Sequence, residues 1–170
     1  MKKTADILFV TSLGAGFSPF APGTMGAAVG VVLWLLTVLC GISYNHLWLC
    51  TLLASILCTL LAIRPIDRME QLWGPDPSRV VIDETVGVWI CLLGVPATAY
   101  PAMPAAIGSW SLPFLLWTLA AFVLFRFFDI LKPLGIRKME RYPGGWGVMA
   151  DDILSGVYGL IVMSIVQLFL

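Results

Sequence analysis

The sequence predicts an all-α, polytopic integral membrane protein, a bundle of about five hydrophobic helices in a single domain over residues 1–170. Hydrophobic residues make up 59% of the chain and charged residues only 12%, which is more apolar than a soluble domain. Three windows, residues 7–63, 85–125 and 153–170, contain no Lys, Arg, Asp or Glu. Each window is long enough for at least one span of about 20 apolar residues.

The first window contains two predicted helices. A Pro-Gly pair precedes Thr24, which we expect to be the N-cap of a helix over residues 25–40. A short polar turn follows, and the second helix is expected over residues 47–63. Pro65 has no backbone donor, so we expect the helix to end before it and a charged surface loop to follow, up to residue 79.

The remaining apolar stretches predict three further helices. The first begins near Val80 and is interrupted by Pro96, so we expect a short tilted span or a partial, re-entrant helix. A proline-rich connection leads into a helix over residues 115–130. The last span, residues 153–170, would be about 27 Å long at the usual helical rise, which is close to the hydrocarbon thickness.

The charged residues are predicted on one side of the membrane. With the N-terminus inside, the inner segments are residues 1–6, 64–84 and 126–152, and they contain all ten Lys and Arg residues. The positive-inside rule then places this face in the cytoplasm. All ten Asp and Glu residues lie there too, which that rule does not require, so we expect a functional site. The formal net charge of zero argues against a nucleic-acid partner.

Five of these acids lie where apolar runs meet the charged segments. They form three groups: Asp83 with Glu84, Asp129, and Asp151 with Asp152. Mg²⁺ prefers carboxylate oxygens that converge from several elements, whereas zinc is disfavoured because the only histidine is predicted on the opposite side. Acids that merely reach the interface from helix ends are the alternative, and it explains three groups on one face less well.

Basic residues accompany the acids. Arg126, Asp129 and Lys132 recur at three-residue spacing, which places them along one helix face. Arg137 lies a few residues further on. These cations could bind a phosphate group, although topology signalling or contact with anionic lipid headgroups would also account for them.

Two glycine-rich segments precede predicted helices. Residues 16–26, which include Thr24 and Gly26, and residues 142–152 could present backbone N–H groups to a phosphate. Close helix packing is the simpler explanation for such glycines. Carboxylates, cations and N–H groups at one membrane face together predict a phosphate site for a lipid substrate.

The nucleophile is inferred by elimination. Cys58 and Arg64 have the spacing of cysteine-dependent phosphatases, but the residues between them form an apolar run without glycine, so they cannot curl around a phosphate. The chain has a single histidine, which argues against the mechanism of His-dependent lipid phosphatases. It also lacks the Asp-x-Asp-x-Thr motif that a phosphoaspartate intermediate would require. Water activated by a metal ion remains.

The same segments resemble the bacterial phosphatidylglycerophosphatase A family. The resemblance rests on GFSPFAPGTMGA (16–27), IDETVGVW (82–89) and FRFFDILKPLGIRKMERYPGGWGVMADDILSG (125–156), with a departure at Gly135, where relatives often have proline. It implies a Mg²⁺-dependent enzyme of the bacterial inner membrane. This enzyme would hydrolyse phosphatidylglycerophosphate to phosphatidylglycerol and inorganic phosphate.

The resemblance also implies roles for residues. The metal ligands would be Asp83, Glu84, Asp129, Asp151 and Asp152. The catalytic carboxylates would be drawn from Asp83, Glu84, Asp129 and Asp152. Phosphate contacts would come from Arg126, Lys132, Arg137, Thr24 and Gly26. The sequence leaves open the number of metal ions, the oligomeric state and the acyl-chain preference.

Two other function classes use acids at a membrane face. A transferase of the CDP-alcohol type also needs Mg²⁺, but its longer Asp-rich motif is absent from the sequence. A carrier of Mg²⁺ or protons would account for acids near the membrane. It would not explain why every Asp, Glu, Lys and Arg lies in the inner segments.

Overall fold

The computed structural model describes residues 2–169, apart from the side chains at positions 2, 107 and 140. Within this range the chain contains no strand, so the prediction of an all-α protein is confirmed. The α-helices are α1 (Lys2–Val10), α2 (Pro22–Leu39), α3 (Tyr44–Trp73), α4 (Ile82–Leu92), α5 (Leu112–Leu131) and α6 (Gly145–Gln167). Short 3₁₀ turns lie at Ala15–Phe17, Ala97–Ala99, Ile107–Ser109 and Ile136–Arg141.

Four of the described helices, α2, α3, α5 and α6, are long and apolar enough to cross a membrane. The prediction of a membrane helical bundle is therefore confirmed, with helix α1 as an additional element that the sequence did not predict. Helix α4 has 11 residues and would rise only about 17 Å. It is too short to cross the hydrocarbon layer alone, which agrees with the prediction of a partial third segment.

The predicted end of the second helix is wrong. Helix α3 continues through Pro65 as far as Trp73, although an interior proline typically costs about 3 kcal/mol. Pro65 is buried, and the next turn places Ile66 and Met69 in a hydrophobic cluster with residues from α4 and α6. Burying such side chains contributes about 1.5–3 kcal/mol each, so tertiary packing outweighs the lost hydrogen bond.

Two helix starts also differ from the predictions. Helix α2 begins at Pro22, and its N-cap is Ala21 in a left-handed conformation, so Thr24 is not the N-cap. Helix α6 begins at Gly145, eight residues before the predicted start at residue 153. Its first turns therefore include Asp151 and Asp152, which were expected to precede the helix.

Helix α4 lies at the centre of the bundle and contacts α2, α3, α5 and α6. Glycines allow this close packing. A Cβ on Gly87 would lie 2.8 Å from the Asp152 carbonyl oxygen, and a Cβ on Gly156 would overlap the Gly87 carbonyl oxygen. On the other side, the Trp89 indole donates to the Gly30 carbonyl oxygen over 2.8 Å. The backbones of α4 and α6 thus approach each other without intervening side chains, and α2 packs on another side of α4.

We expect Gly156→Ala to destabilise the bundle, because its methyl group would overlap the Gly87 carbonyl oxygen. Overpacking of this kind costs about 1–3 kcal/mol. Gly108→Ala is the control, since nothing lies within 4 Å of a Cβ at that position. Thermal unfolding in one detergent should show a lower midpoint for Gly156→Ala alone. Equal midpoints for the two variants would contradict the packing at the crossing of α4 and α6.

Candidate active site

A cavity of about 670 Å³ opens where the N-terminal ends of α2, α4 and α6 meet the C-terminal end of α5. Helix N-termini carry a partial positive charge and free N–H groups, so three of them favour anionic groups in the cavity. The cavity is also lined by Glu70 of α3 and by residues of two loops, 75–80 and 141–144. The site thus draws on every helix except α1.

Three carboxylates converge in this cavity. One oxygen atom each of Asp83, Glu84 and Asp152 lies within 4.8 Å of the other two. Asp83 and Glu84 are in the first turn of α4, and Asp152 is in the second turn of α6. Asp83 is 8% exposed and Asp152 is 3% exposed. We refer to these three residues as the acidic triad.

The acidic triad could hold a cation. Two like charges 4 Å apart repel each other by about 4 kcal/mol at an effective dielectric constant of about 20. In addition, the Asp83 Oδ1 and Glu84 Oε2 atoms are buried without a hydrogen-bond partner, and leaving such atoms unpaired is costly. A hard divalent cation would satisfy these oxygens and offset the repulsion.

Two ion pairs lie beside the acidic triad. The Arg126 guanidinium donates to Asp129 one turn further along α5. The Lys132 Nζ atom lies 2.5 Å from the Asp151 Oδ2 atom. Arg126 Nε and Asp151 Oδ1 are buried without a partner, so one donor and one acceptor remain for a ligand.

Negative charge dominates the cavity in the ionised state. Besides the five predicted acids, the described lining residues include Glu70 and Asp76, whereas the lining cations are Arg126, Lys132 and Arg141. Seven carboxylates against three cations would repel a phosphate group. Additional positive charge would therefore favour phosphate binding, and the acidic triad is where a metal ion would supply it.

The structure brings most of the predicted site residues together. All five predicted acids line the cavity, as do Arg126 and Lys132. Among the described residues, Thr24, Gly26 and Arg137 are not part of the lining. Gly26 instead faces the Val81 backbone, where a Cβ would lie 2.7 Å from the carbonyl oxygen, and Arg137 is exposed in the 136–141 turn.

Several residues that line the cavity were not among the site residues predicted from the sequence. Gly23 belongs to the predicted glycine-rich segment 16–26 but was not singled out; it lies at the start of α2, where a Cβ would overlap the Glu84 carboxylate. Arg141 directly precedes the second glycine-rich segment. Glu70 was assigned to a surface loop because Pro65 was expected to end its helix. A helical reading through Pro65 would have placed Asp67 and Glu70 on one face, since their spacing is three residues.

The comparisons with known proteins identify the family. The sequence pattern of the phosphatidylglycerophosphatase A family matches residues 8–167. This chain belongs to that family. Phosphatidylglycerophosphatases are lipid phosphatases, so the chain is a hydrolase, and membership in this family favours hydrolysis over the transferase and carrier alternatives.

Curated relatives cover most of the chain. A Bacteroides thetaiotaomicron protein named "Putative phosphatidylinositol-3-phosphatase" is 44% identical over 95% of this chain and 92% of its own length. Two proteins named phosphatidylglycerophosphatase A are more distant. That of Haemophilus influenzae is 35% identical over 94% of this chain and 87% of its length, and that of Escherichia coli is 32% identical over 88% and 76%. No solved structure matches this chain.

We expect the acidic triad to bind a hard divalent cation, with Mg²⁺ as the probe, and Asp83→Asn or Asp152→Asn to weaken that binding by about tenfold or more. Each change removes a charged oxygen ligand of the kind that Mg²⁺ requires. The measurement is calorimetric titration of the purified protein with MgCl₂ in detergent. Asp6→Asn is the control, because Asp6 pairs with Arg68 outside this cavity. Affinities equal to that of the wild type in both triad variants would exclude this metal site.

Proposed function

We propose that this protein hydrolyses phosphatidylglycerophosphate to phosphatidylglycerol and inorganic phosphate, with Mg²⁺ as its cofactor. The observation that carries the proposal is the acidic triad, which lies beside two ion pairs in a member of the phosphatidylglycerophosphatase A family. The Haemophilus influenzae and Escherichia coli relatives are named for this activity. Five of the seven described lining acids are those that the sequence resemblance implied.

The residues present fit a magnesium ion. All candidate ligands are carboxylate oxygens, and Asp83 and Glu84 each have a buried oxygen without a partner. Asp83, Glu84 and Asp152 would hold the ion, and Asp129 and Asp151 line the same cavity. When bound, the ion supplies positive charge to the phosphate oxygens and makes water a stronger nucleophile.

The protein's own residues would bind and orient the phosphate. Arg126 and Lys132 would neutralise its oxygen atoms, which carry the charge in phosphoryl transfer. Their ion pairs with Asp129 and Asp151 hold them in place before the substrate arrives. A triad carboxylate would orient the attacking water and accept its proton as the new oxygen–phosphorus bond forms. The ester bond between phosphorus and the headgroup oxygen would break in the same displacement, and that oxygen would take up a proton and leave as the alcohol of phosphatidylglycerol. Phosphate monoesters resist hydrolysis strongly, and this density of charge suits the task.

The fold suits a lipid substrate. The membrane-spanning helices expose many large apolar side chains, including Leu57 and Leu60 of α3 and Leu116 and Leu119 of α5. These surfaces would contact the bilayer, where the acyl chains of the substrate stay. Only the headgroup would then enter the cavity, which lies at the charged end of the bundle.

A phosphorylated inositol lipid is the second candidate substrate. The Bacteroides thetaiotaomicron relative, at 44% identity, is named for a phosphatidylinositol-3-phosphatase. The chemistry would be the same, because both lipids carry a phosphate monoester on a polyol headgroup. The two candidate substrates therefore differ in their headgroups and not in the reaction that they undergo.

Phosphate release from purified protein in detergent tests the function. We expect phosphatidylglycerophosphate to be hydrolysed with Mg²⁺ but not with EDTA, and Asp83→Asn to lower turnover by about 100-fold or more because it removes a metal ligand. Phosphatidylinositol 3-phosphate should be assayed in parallel. Faster release from the inositol lipid would select the second candidate. Release from neither lipid by folded protein supplied with Mg²⁺ would refute both.

The orientation of the protein is also part of the proposal. All Lys and Arg residues lie in the segments that the sequence assigned to the inner face. By the positive-inside rule the cavity would then lie at the cytoplasmic side of a bacterial inner membrane. The turn before α3, which contains Ser43, would then face the periplasm.

Cysteine labelling of cells tests this orientation. The four native cysteines would first be replaced by alanine, and Ser43→Cys and Lys138→Cys would then be introduced separately. We expect an impermeant thiol reagent to label Ser43→Cys from outside and Lys138→Cys only after lysis, because Lys138 follows α5 at the cavity end. The reverse pattern would invert the topology.

A further inference from the structure

We propose that Asp67 is a positioning residue that fixes the start of α6 and thereby the place of Asp152 in the acidic triad. Asp67 belongs to α3 and is not among the described residues that line the cavity. The inference rests on the proposed function, because it assumes that the acidic triad binds a metal ion.

The contact between Asp67 and α6 is a helix cap supplied by another helix. The Gly145 amide, the first of α6, donates to the Asp67 Oδ1 atom over 2.7 Å. This N–H has no partner inside its own helix, and the N-cap residue, Gly144, has no side chain to offer. A carboxylate at this position also interacts favourably with the helix dipole.

Two glycines make this contact possible. Gly144 has φ 64° and ψ −157°, a conformation that is essentially restricted to glycine, and a Cβ there would lie 2.5 Å from the Asp67 Oδ1 atom. A Cβ on Gly145 would lie 2.6 Å from the Ile63 carbonyl oxygen and 2.8 Å from its Cα atom. The start of α6 is therefore held against α3 by a hydrogen bond and by backbone contact, with no room for a side chain.

The cap acts on the metal site through the helix. Asp152 follows Gly145 by seven residues, or about 10 Å along the axis, so a shift of the first turn would move its carboxylate. The triad depends on oxygen atoms within 4.8 Å of each other. Supporting residues around a metal site are typically worth about 10–100-fold in affinity, which is the scale of effect expected for Asp67.

The same end of α3 also holds the segment that leads into α4. Glu70, one turn after Asp67, accepts the Asp76 amide over 3.2 Å. Residue 76 lies in the loop that precedes Asp83 and Glu84. Helix α3 contributes no carboxylate to the triad, yet it contacts both chain segments whose relative position decides the triad's geometry.

The test compares Asp67→Ala, Asp67→Asn and Asp6→Ala in the purified full-length protein. Asp6→Ala is the matched control because it also removes a carboxylate that contacts this end of α3, through Arg68 at 2.7 Å, but outside the cavity. We expect titration with MgCl₂ to show about tenfold weaker binding for Asp67→Ala. Asp67→Asn should remain within about threefold of the wild type, since its amide oxygen can accept the same hydrogen bond. Phosphate release at saturating Mg²⁺ should fall less than Mg²⁺ affinity does.

Other outcomes of the same experiment would distinguish a failure of the positioning role from a failure of the proposed function. Equal Mg²⁺ affinity in the wild type and Asp67→Ala would overturn the positioning role and leave the function standing, as would equal losses in Asp67→Ala and Asp6→Ala. A wild type that binds no Mg²⁺ would overturn both. If Asp67→Ala does not fold, Gly144→Ala decides, because its methyl group would displace the same carboxylate. An unchanged affinity in folded Gly144→Ala would also overturn the positioning role.

Discussion

The repulsion among three closely spaced carboxylates, two of them buried, is the constraint on which the rest of this structure depends. Asp83, Glu84 and Asp152 lie within 4.8 Å of one another, and each close pair of charges costs about 4 kcal/mol at an effective dielectric constant of about 20. A helix N-terminus stabilises an acid in its first turn by about 0.3–1 kcal/mol. The N-terminus of α4 therefore offsets only a small part of the repulsion around Asp83 and Glu84. A divalent cation would carry enough charge to offset the rest.

The packing of the bundle brings these carboxylates together. Helices in a bilayer gain little from the hydrophobic effect and associate through close backbone contact, for which small residues are required. Gly87 and Gly156 bring α4 and α6 together, and Gly26 and Gly30 bring α2 against α4 and the residue before it. The same glycines that stabilise the bundle thus define the distance between Asp83 and Asp152. A substitution at this crossing would therefore change both the contact between α4 and α6 and the geometry of the acidic triad.

The cavity separates two electrostatic tasks. The acidic triad lacks partners for two buried oxygens, whereas Asp129 and Asp151 are each engaged by a cation. One group of acids is thus suited to a metal ion, and the other holds Arg126 and Lys132 in position for a phosphate. Charges that are oriented in advance need little reorganisation during the reaction, so this division is consistent with phosphoryl chemistry.

The sequence by itself determined the membrane bundle, the short third helix and the set of acids at one end, because composition, hydropathy and charge order are properties of the chain alone. It did not determine the course of α3 beyond Pro65, since burial of Ile66 and Met69 outweighs a proline only once α4 and α6 are present. The sequence also could not show which acids form the triad and which pair with Arg126 and Lys132. Nor could it show that Arg141 lines the cavity whereas Arg137 does not. Only the tertiary structure decided these, because distances between side chains on different helices depend on where their backbones cross.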